Sequence, residues 1–390
     1  MKNGHIKNLV EAKVEEHGGN LYQGANAAAD TIGDLISEGK LKTSDISLKQ
    51  VYEELVDCPI SESAARVSEA LNSSAFPNVA QKIIHSDIIN EYELAVGAAQ
   101  NLITEAQASR TDEELVVGFT AGDTTPLLRR QGMAYEETSM GEKNWTIKMA
   151  DFGRMISLTR EVIFEDRTGE VLARARDIGR AAGHHKQKMI IESIEVAARS
   201  AFEESASSAA IYKGTARNAA TMYSNDHSAL DGQVNDNLIA SNALSDFTDL
   251  DNVYQAFSAM VDEAGNKIDI VPNTILVPSA LKAKAFQIMN SQMLGGGQQD
   301  TVSPTYNPVN DLAQGGLNIA SSVFLSSASD WYMGDFSKQL KWLNVYAPAT
   351  ESQGANSELA FTNQIVSRFR FSYHAGMGHT DWRYIVKCTA

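Results

Sequence analysis

The chain is short of the residues that fix small or secreted folds. Only two cysteines, Cys58 and Cys388, occur in 390 residues. They could close at most one bridge between opposite ends of the chain, which excludes a disulfide-stapled scaffold and fits a reducing compartment. Glycine and proline number 27 and 8, and aromatics make up 7%, which excludes collagen-like and low-complexity classes. No run approaches the roughly 18 to 20 apolar residues of a membrane span; the strongest, Ile275 to Val277, stops at Pro278. The first residues, MKNGHIKNLVEAKVEE, carry lysines but no hydrophobic h-region, so they are not a secretory signal. Positive charge is scarce as well. Lys and Arg number 33 against 49 Asp and Glu, a net charge of −16. That disfavours wrapping nucleic acid, because each phosphate needs a cation nearby, but it does not exclude a place beside DNA.

What is present reads as an ordinary globular chain, 43% hydrophobic and 21% charged, long enough for two or three domains or one elaborate one. Residues 1–72 read as short helices with polar breaks, among them Ile32, Leu35 and Ile36, and a Thr43-Ser44-Asp45 cap before Val51 and Leu55. Little of this could form a core alone, so it is expected to lie as an arm on other parts of the protein or on neighbours. The run SSAFPNVAQKIIHSDIINEYE (73–93) predicts a helix: Pro77 falls in its first turn, and Val79, Ile83, Ile84 and Ile88 recur at helical spacing. WTIKM (145–149) and RMISLTREVIF (154–164) alternate and predict strands. Between Gly118 and Gly141 the chain is polar and Gly-punctuated, with Arg129-Arg130 and Glu136-Glu137, a long structured connection of the functional kind.

A helix longer than the rest is predicted from Thr168 to about Ser205, its stripe traced by Leu172, Ala175, Ile178, Ala182, Met189, Ile190, Ile194 and Ala197. Gly179 and Gly183 are its weak points, where a kink could form. Residues 210–340 read as a mixed α/β unit: a helix over 250–265 closing at Gly265, a buried strand, Pro turn and helix over 273–289, a loop over 293–311, then strands in LNIASSVFL and DWYMGDF. The tail, QIVSRFRFSYHAGMGHTDWRYIVKC, predicts two alternating strands joined through Gly376 and Gly378.

Catalytic signatures are missing. There is no G-x-x-x-x-G-K-[ST], no G-x-G-x-x-G after a strand, no G-x-S-x-G, no H-E-x-x-H and no C-x-x-C. His184 and His185 are adjacent on the long helix and diverge by about 100°. Asn225-Asp226-His227 is common turn chemistry, and Glu165-Asp166-Arg167 suits a helix N-terminus better than a carboxylate pair. His374, His379 and Asp381 make the most metal-like set, since a Gly turn could fold two imidazoles and a carboxylate together, but the spacing matches no zinc or iron signature and a hairpin turn is the expectation. No enzyme activity, cofactor or metal site is expected.

Several segments, taken in order, resemble tailed-bacteriophage major capsid proteins of the Hong Kong 97-like fold, and most closely the Mu-like head subunits. They are SSAFPNVAQKIIHSDIINEYE (73–93), DFGRMISLTREVIFEDRTG (151–169), MYSNDHSAL (222–230), NTILVPSALKAKAFQIM (273–289), DWYMGDF (330–336) and FRFSYHAGMGHTDWRYIVK (369–387). The step Phe164-Glu165-Asp166 departs from the Asn-Asp-Asp of that group. The resemblance implies an α+β fold with an N-terminal extension (1–72), an N-arm and first helix (73–117), an extended loop (118–150), a peripheral domain with a spine helix (151–215), an axial domain (216–340) and returning peripheral strands (341–390). It implies a shell of hexamers and pentamers around packaged DNA with no sequence-specific binding, in a virion assembled in the host cytoplasm, with a portal and scaffold or decoration proteins as partners. Arg129, Arg130, Glu136, Glu137, Trp145, Arg160, Glu165, Asp166, Asp381 and Arg383 become its assembly-contact candidates. Lys143 and Lys148 lie on the loop, but no partner asparagine is identifiable and no cross-link is expected. The chain is too short to carry a protease domain ahead of the capsid domain, and its start at Met1 suggests an N-terminus that is retained. An encapsulin-like compartment on the same fold is the alternative, and a metal-dependent hydrolase the more distant one.

Overall fold

A computed structural model describes residues 5–18, 21–37, 48–55, 76–120, 141–165, 168–196, 222–225, 227–228, 234–262, 265–290, 317–353 and 364–390. Helices α1 (His5–Glu16), α2 (Leu21–Ser37) and α3 (Leu48–Leu55) precede α4 (Phe76–Val96). Strands β1 (Thr104–Gln107), β2 (Glu113–Thr120), β3 (Gly141–Lys148) and β4 (Ala150–Thr159) follow, then the single turn α5 (Arg160–Phe164) and the long α6 (Thr168–Val196). After the short strands β5 (His227–Ser228), β6 (Val234–Asn235) and β7 (Leu238–Ile239) come α7 (Phe247–Ala259), β8 (Thr274–Pro278), α8 (Lys282–Asn290), β9 (Asn318–Ser322) and β10 (Trp331–Gly334). The chain closes with α9 (Phe336–Gln339), β11 (Leu340–Gln353), β12 (Ile365–His379) and β13 (Ile385–Cys388). It divides into two units. The first holds residues 1–97, 151–187 and 346–374; the second holds 98–150, 188–345 and 375–390.

In the first unit the expected apolar stripe of α4, Val79, Ile83, Ile84 and Ile88, is buried. The N-terminal helices fold onto their own unit. Ala28, Ala29 and Ile32 of α2 and Leu48, Val51 and Tyr52 of α3 are buried, Tyr52 meets Phe76 edge-on at 5.5 Å, and Lys82 pairs with Asp30 at 2.5 Å. α4 ends where Gly97 takes φ +50°, a left-handed conformation that costs a glycine little. The segment of α6 in this unit crosses α4. A Cβ on Gly179 would strike the Ile88 carbonyl oxygen, and one on Gly183 would stand 2.6 Å from the Tyr92 carbonyl oxygen and the Ala95 Cβ. α6 runs through both glycines without interruption. At the crossing these glycines serve close approach of two backbones. The ion pairs Arg176–Asp87 (3.1 Å) and Arg180–Glu91 (3.2 Å) flank the crossing.

The second unit holds a five-stranded sheet of order β7-β13-β10-β8-β9. β10 is antiparallel to β13 and β8, while β8 and β9 run parallel. Both faces of β8 are buried, which explains its unbroken apolar run. α7 starts with a capping box: Asp246 accepts from Thr248 N at 2.8 Å, and Asp249 accepts from Asp246 N at 2.9 Å. The Thr248 hydroxyl, and then its N–H, donate to the Asp246 carboxylate and hold that carboxyl below its usual range. A second sheet has the order β1-β11-β12-β4; within this unit β1 runs parallel to the start of β11.

Three expectations are corrected. Residues 160–164, read as strand, form α5; Val162 and Ile163 imitate alternation, yet only Ile163 is buried and Phe164 is 58% exposed. The helix expected to close at Gly265 ends at Ala259, and Gly265 instead carries φ +87° in the turn after it, where its N–H donates to the Asp262 carbonyl at 3.3 Å. Gly376 and Gly378 join no strands. They lie inside β12, which is continuous from Ile365 to His379, and the turn falls after it, before β13. The predicted cap at residues 43–45, the far end of the long helix beyond Val196 and the loop at 293–311 lie outside the described residues.

Candidate assembly surfaces

β2 and β3 pair antiparallel along their whole length, from Glu113 opposite Lys148 to Thr120 opposite Gly141. The connection between Gly118 and Gly141 thus leaves and returns as a two-stranded ribbon. Its root is anchored. Ile147 is buried with Ala108 and Leu343, and Met149 N donates to the Asp112 carbonyl at 2.9 Å. Glu114 accepts from Ser109 N, Ser109 Oγ and Arg110 N at 2.9–3.1 Å, and the Ser109 hydroxyl above all holds its carboxyl below the usual range. β12 lies against this root: a Cβ on Gly376 would meet the Lys148 carbonyl oxygen, and one on Gly378 would stand 2.5 Å from Ile147 Cγ1.

Two segments singled out in the sequence meet in the second unit. Asp381 accepts from Trp382 N at 2.7 Å and pairs with the Arg383 guanidinium at 3.2 Å. That guanidinium lies 5.0 Å from the centre of the Trp382 ring, and His227 stacks on the same indole at 3.9 Å and 15°. Asn237 ties the two segments together, its amide donating to the Met222 and Trp382 carbonyls at 2.8 and 3.0 Å. The histidine turn and the Asp-Trp-Arg step are therefore one packed joint. His227, whose ring nitrogen contacts the Met222 carbonyl at 3.2 Å, is part of its core.

The metal-like set does not converge. His374 and His379 sit five residues apart on one extended strand, an odd separation that puts them on opposite faces. His379 is fully enclosed. Its Nε2 lies 2.9 Å from Ser193 Oγ and its Nδ1 lies 3.3 Å from Gln339 Nε2, and burial pushes its pKa down to about 4. Among the described residues no three His, Cys, Asp or Glu side chains form a group able to hold a metal. Cys388 is buried beside the Asn242 amide, and burial raises its thiol to about 12. No helix among the described residues is long and apolar enough to cross a membrane.

Of the assembly candidates, Asp381 and Arg383 are engaged with each other inside the subunit. Glu165 is exposed after α5, and Arg160 opens that helix. Trp145 lies on β3 opposite Val116. Arg129, Arg130, Glu136, Glu137 and Asp166 lie outside the described residues.

One surface escaped the sequence reading. In the first unit a groove of about 420 Å³ runs between α6, β4 and β12, lined by Ile178, Ala181, Ala182 and His185 on one side and by Phe152, Phe371 and Tyr373 on the other. The spacing of 178, 181, 182 and 185 is visible in the sequence, but Ile178 and Ala182 also fall on the predicted packed stripe. In the structure both are half-buried.

The family model described as phage capsid protein matches residues 143–388. A comparison with curated proteins finds no match. Among solved structures, the capsid of the cyanophage P-SCSP1u is 11% identical at a TM-score of 0.47, over 75% of this chain and 87% of that one. The capsid of a native GTA particle is 12% identical at 0.45, over 76% and 90%. A Gordonia phage Cozz structure is 12% identical at 0.42, over 74% and 85%.

Proposed function

The chain belongs to the phage capsid protein family, and from that membership we propose that it is the major head subunit of a tailed phage of the Mu-like kind. The family match over residues 143–388, well over half of the chain, carries this reading. Family membership makes the chain a structural protein and a virion component, and its α+β fold is of the Hong Kong 97-like type. Copies of this one chain form hexamers and pentamers, with small changes at hinges fitting one sequence to non-identical positions. The β2–β3 ribbon supports the reading of 118–150 as an extended loop that reaches a neighbour, because a lone two-stranded ribbon is marginal in water and gains stability when something covers it. Residues 151–215 and 341–390 form the peripheral domain, residues 216–340 the axial domain. At −16 per copy, a closed shell presents packaged double-stranded DNA with a wall it does not stick to. A portal, and a scaffold or decoration protein, complete the head in the host cytoplasm.

Sedimentation and negative-stain microscopy of the purified full-length chain test this. Closed shells of uniform size, or rings of five and six, are expected. A chain that stays small even when co-expressed with the head-assembly proteins of its phage overturns the reading.

A further inference from the structure

We propose that residues 365–388 form a closing strap, whose seating completes both sheets and only then makes the subunit competent to assemble. The folding claim stands on topology alone; the assembly claim rests on the shell reading above.

In each sheet the strand that comes last in the chain is an interior one. β12 lies between β11 and β4, and β13 lies between β7 and β10. Without β12, β4 keeps no partner among the described strands, and β1 and β11 remain as a bare pair, which is marginal in water. Without β13, β7 is detached from β10, β8 and β9. Only residues 380–384 separate the two strands, and the end of β12 itself belongs to the second unit. One stretch of chain therefore serves both units. The contacts it closes are long-range: Lys387 pairs with Leu238, and Phe371 and Tyr373 meet Tyr92 of α4 at 6.4 and 6.3 Å. Closing such loops costs entropy that is returned only once the strand is in place.

The earlier chain is fitted to the strap in advance. Ser193, Asn237 and Gln339 are at most 1% exposed, and each meets a strap group. The His379 ring lies 2.9 Å from Ser193 Oγ and 3.3 Å from Gln339 Nε2, and the Trp382 carbonyl accepts from Asn237 Nδ2 at 3.0 Å. Burying these polar groups before the strap arrives would leave them short of partners, which is costly. Backbone fit points the same way. A Cβ on Gly153 would stand 3.0 Å from the Phe371 carbonyl oxygen, and one on Gly334 would strike that of Tyr384. The strap is apolar where it enters: Phe369, Phe371, Tyr373, Ile385 and Val386 are buried. A chain whose strap does not seat keeps open sheet edges and stays out of the shell.

Hydrogen exchange of the intact chain is the test. Amides of 365–379 and 385–388 are expected to exchange no faster than those of β4 and β10, the strands they complete. Strap amides that exchange about tenfold faster or more, with β4 and β10 still protected, overturn the proposal. During refolding from urea with pulsed labelling, β4 and β10 are expected to gain protection in the same phase as the strap; protection there about tenfold earlier also overturns it. Val386→Asp puts a charge on a fully buried strap position. Co-expressed with wild type, it is expected in shells at about a tenth of its cellular share or less, and incorporation in proportion overturns the exclusion from assembly. A wild-type chain with a protected strap that never assembles defeats the capsid reading and the assembly claim, whereas shells of chains with a freely exchanging strap defeat the strap alone.

Discussion

Two glycine pairs hold comparable places in the two units. Gly179 and Gly183 sit on α6 where it crosses α4, and Gly376 and Gly378 sit on β12 where it lies over the root of the ribbon. In the sequence the first pair suggests a kink and the second a turn, since glycine is the residue of weak helices and tight bends. Both are regular backbone in the structure. At each of the four positions a Cβ would collide, with backbone atoms of α4 in one unit and with Lys148, Met149 or Ile147 in the other. The shared lesson is that a missing side chain can mark contact as well as freedom. The difference lies in what is struck. Gly179, Gly183 and Gly376 face backbone carbonyl oxygens, whereas Gly378 alone faces a side chain, that of Ile147, which can shift by a rotamer.

The largest effect is expected where backbone meets backbone. Gly179→Val should cost roughly 3 kcal/mol or more, enough to leave most of the chain insoluble, and Gly378→Ala should cost clearly less. Urea unfolding of the soluble variants, with soluble yield for the rest, checks the order. A reversed order would show that the strand crossing is the stiffer one.

Acid separates the two crossings next. His379 directly follows Gly378 and is enclosed between Ser193 and Gln339, its pKa lowered from 6.5 to about 4 by burial. The folded state therefore prefers the neutral ring. Its contribution is fully present above pH 6.5 and drains away as the pH falls towards 4, by about 3 kcal/mol. His85, half-buried in the first unit, is also lowered, by burial and then by Lys82. The difference between wild type and His379→Gln, followed by denaturant melts from pH 7 to 4, isolates the strand crossing. Parallel pH profiles for the two proteins would rule the ring out as its acid-sensitive point.

The smallest effect is expected at a glycine that touches nothing. A Cβ on Gly169, at the start of α6, meets no atom within 4 Å. Gly169→Ala should stabilise by about 0.5 kcal/mol through helix propensity alone, seen as a small rise in melting temperature. A loss of stability there would mean that all α6 glycines are held by contact, and that the contrast drawn above is too sharp.

Much of the fold was legible because it rests on local periodicity. The stripe of α4, the start of α6 at Thr168, the buried run of β8 and the Pro278 stop follow from spacing and from proline's missing donor. The errors fell where local pattern and tertiary packing disagree. Arg160 to Phe164 alternate like a strand but close into a helical turn, and 250–265 loses its last turn after Ala259. The site was less legible still. Asp381 and Arg383 were visible as a motif, but not as one stacked joint with His227 and Trp382, because pairing between residues some 150 positions apart leaves no local trace.

By itself the sequence determined the class of the protein: an acidic chain without catalytic signatures, with ordered helices and strands and segments that resemble a capsid subunit in the right order. Those properties are composition and near-neighbour spacing, which survive in one dimension. Only the tertiary structure decided that the glycines are contacts, that His379 is a sealed core residue and that one flank of α6 is left half-open beside β4. Each of these depends on which distant segment comes to lie alongside, and excluded volume and burial exist only once it does.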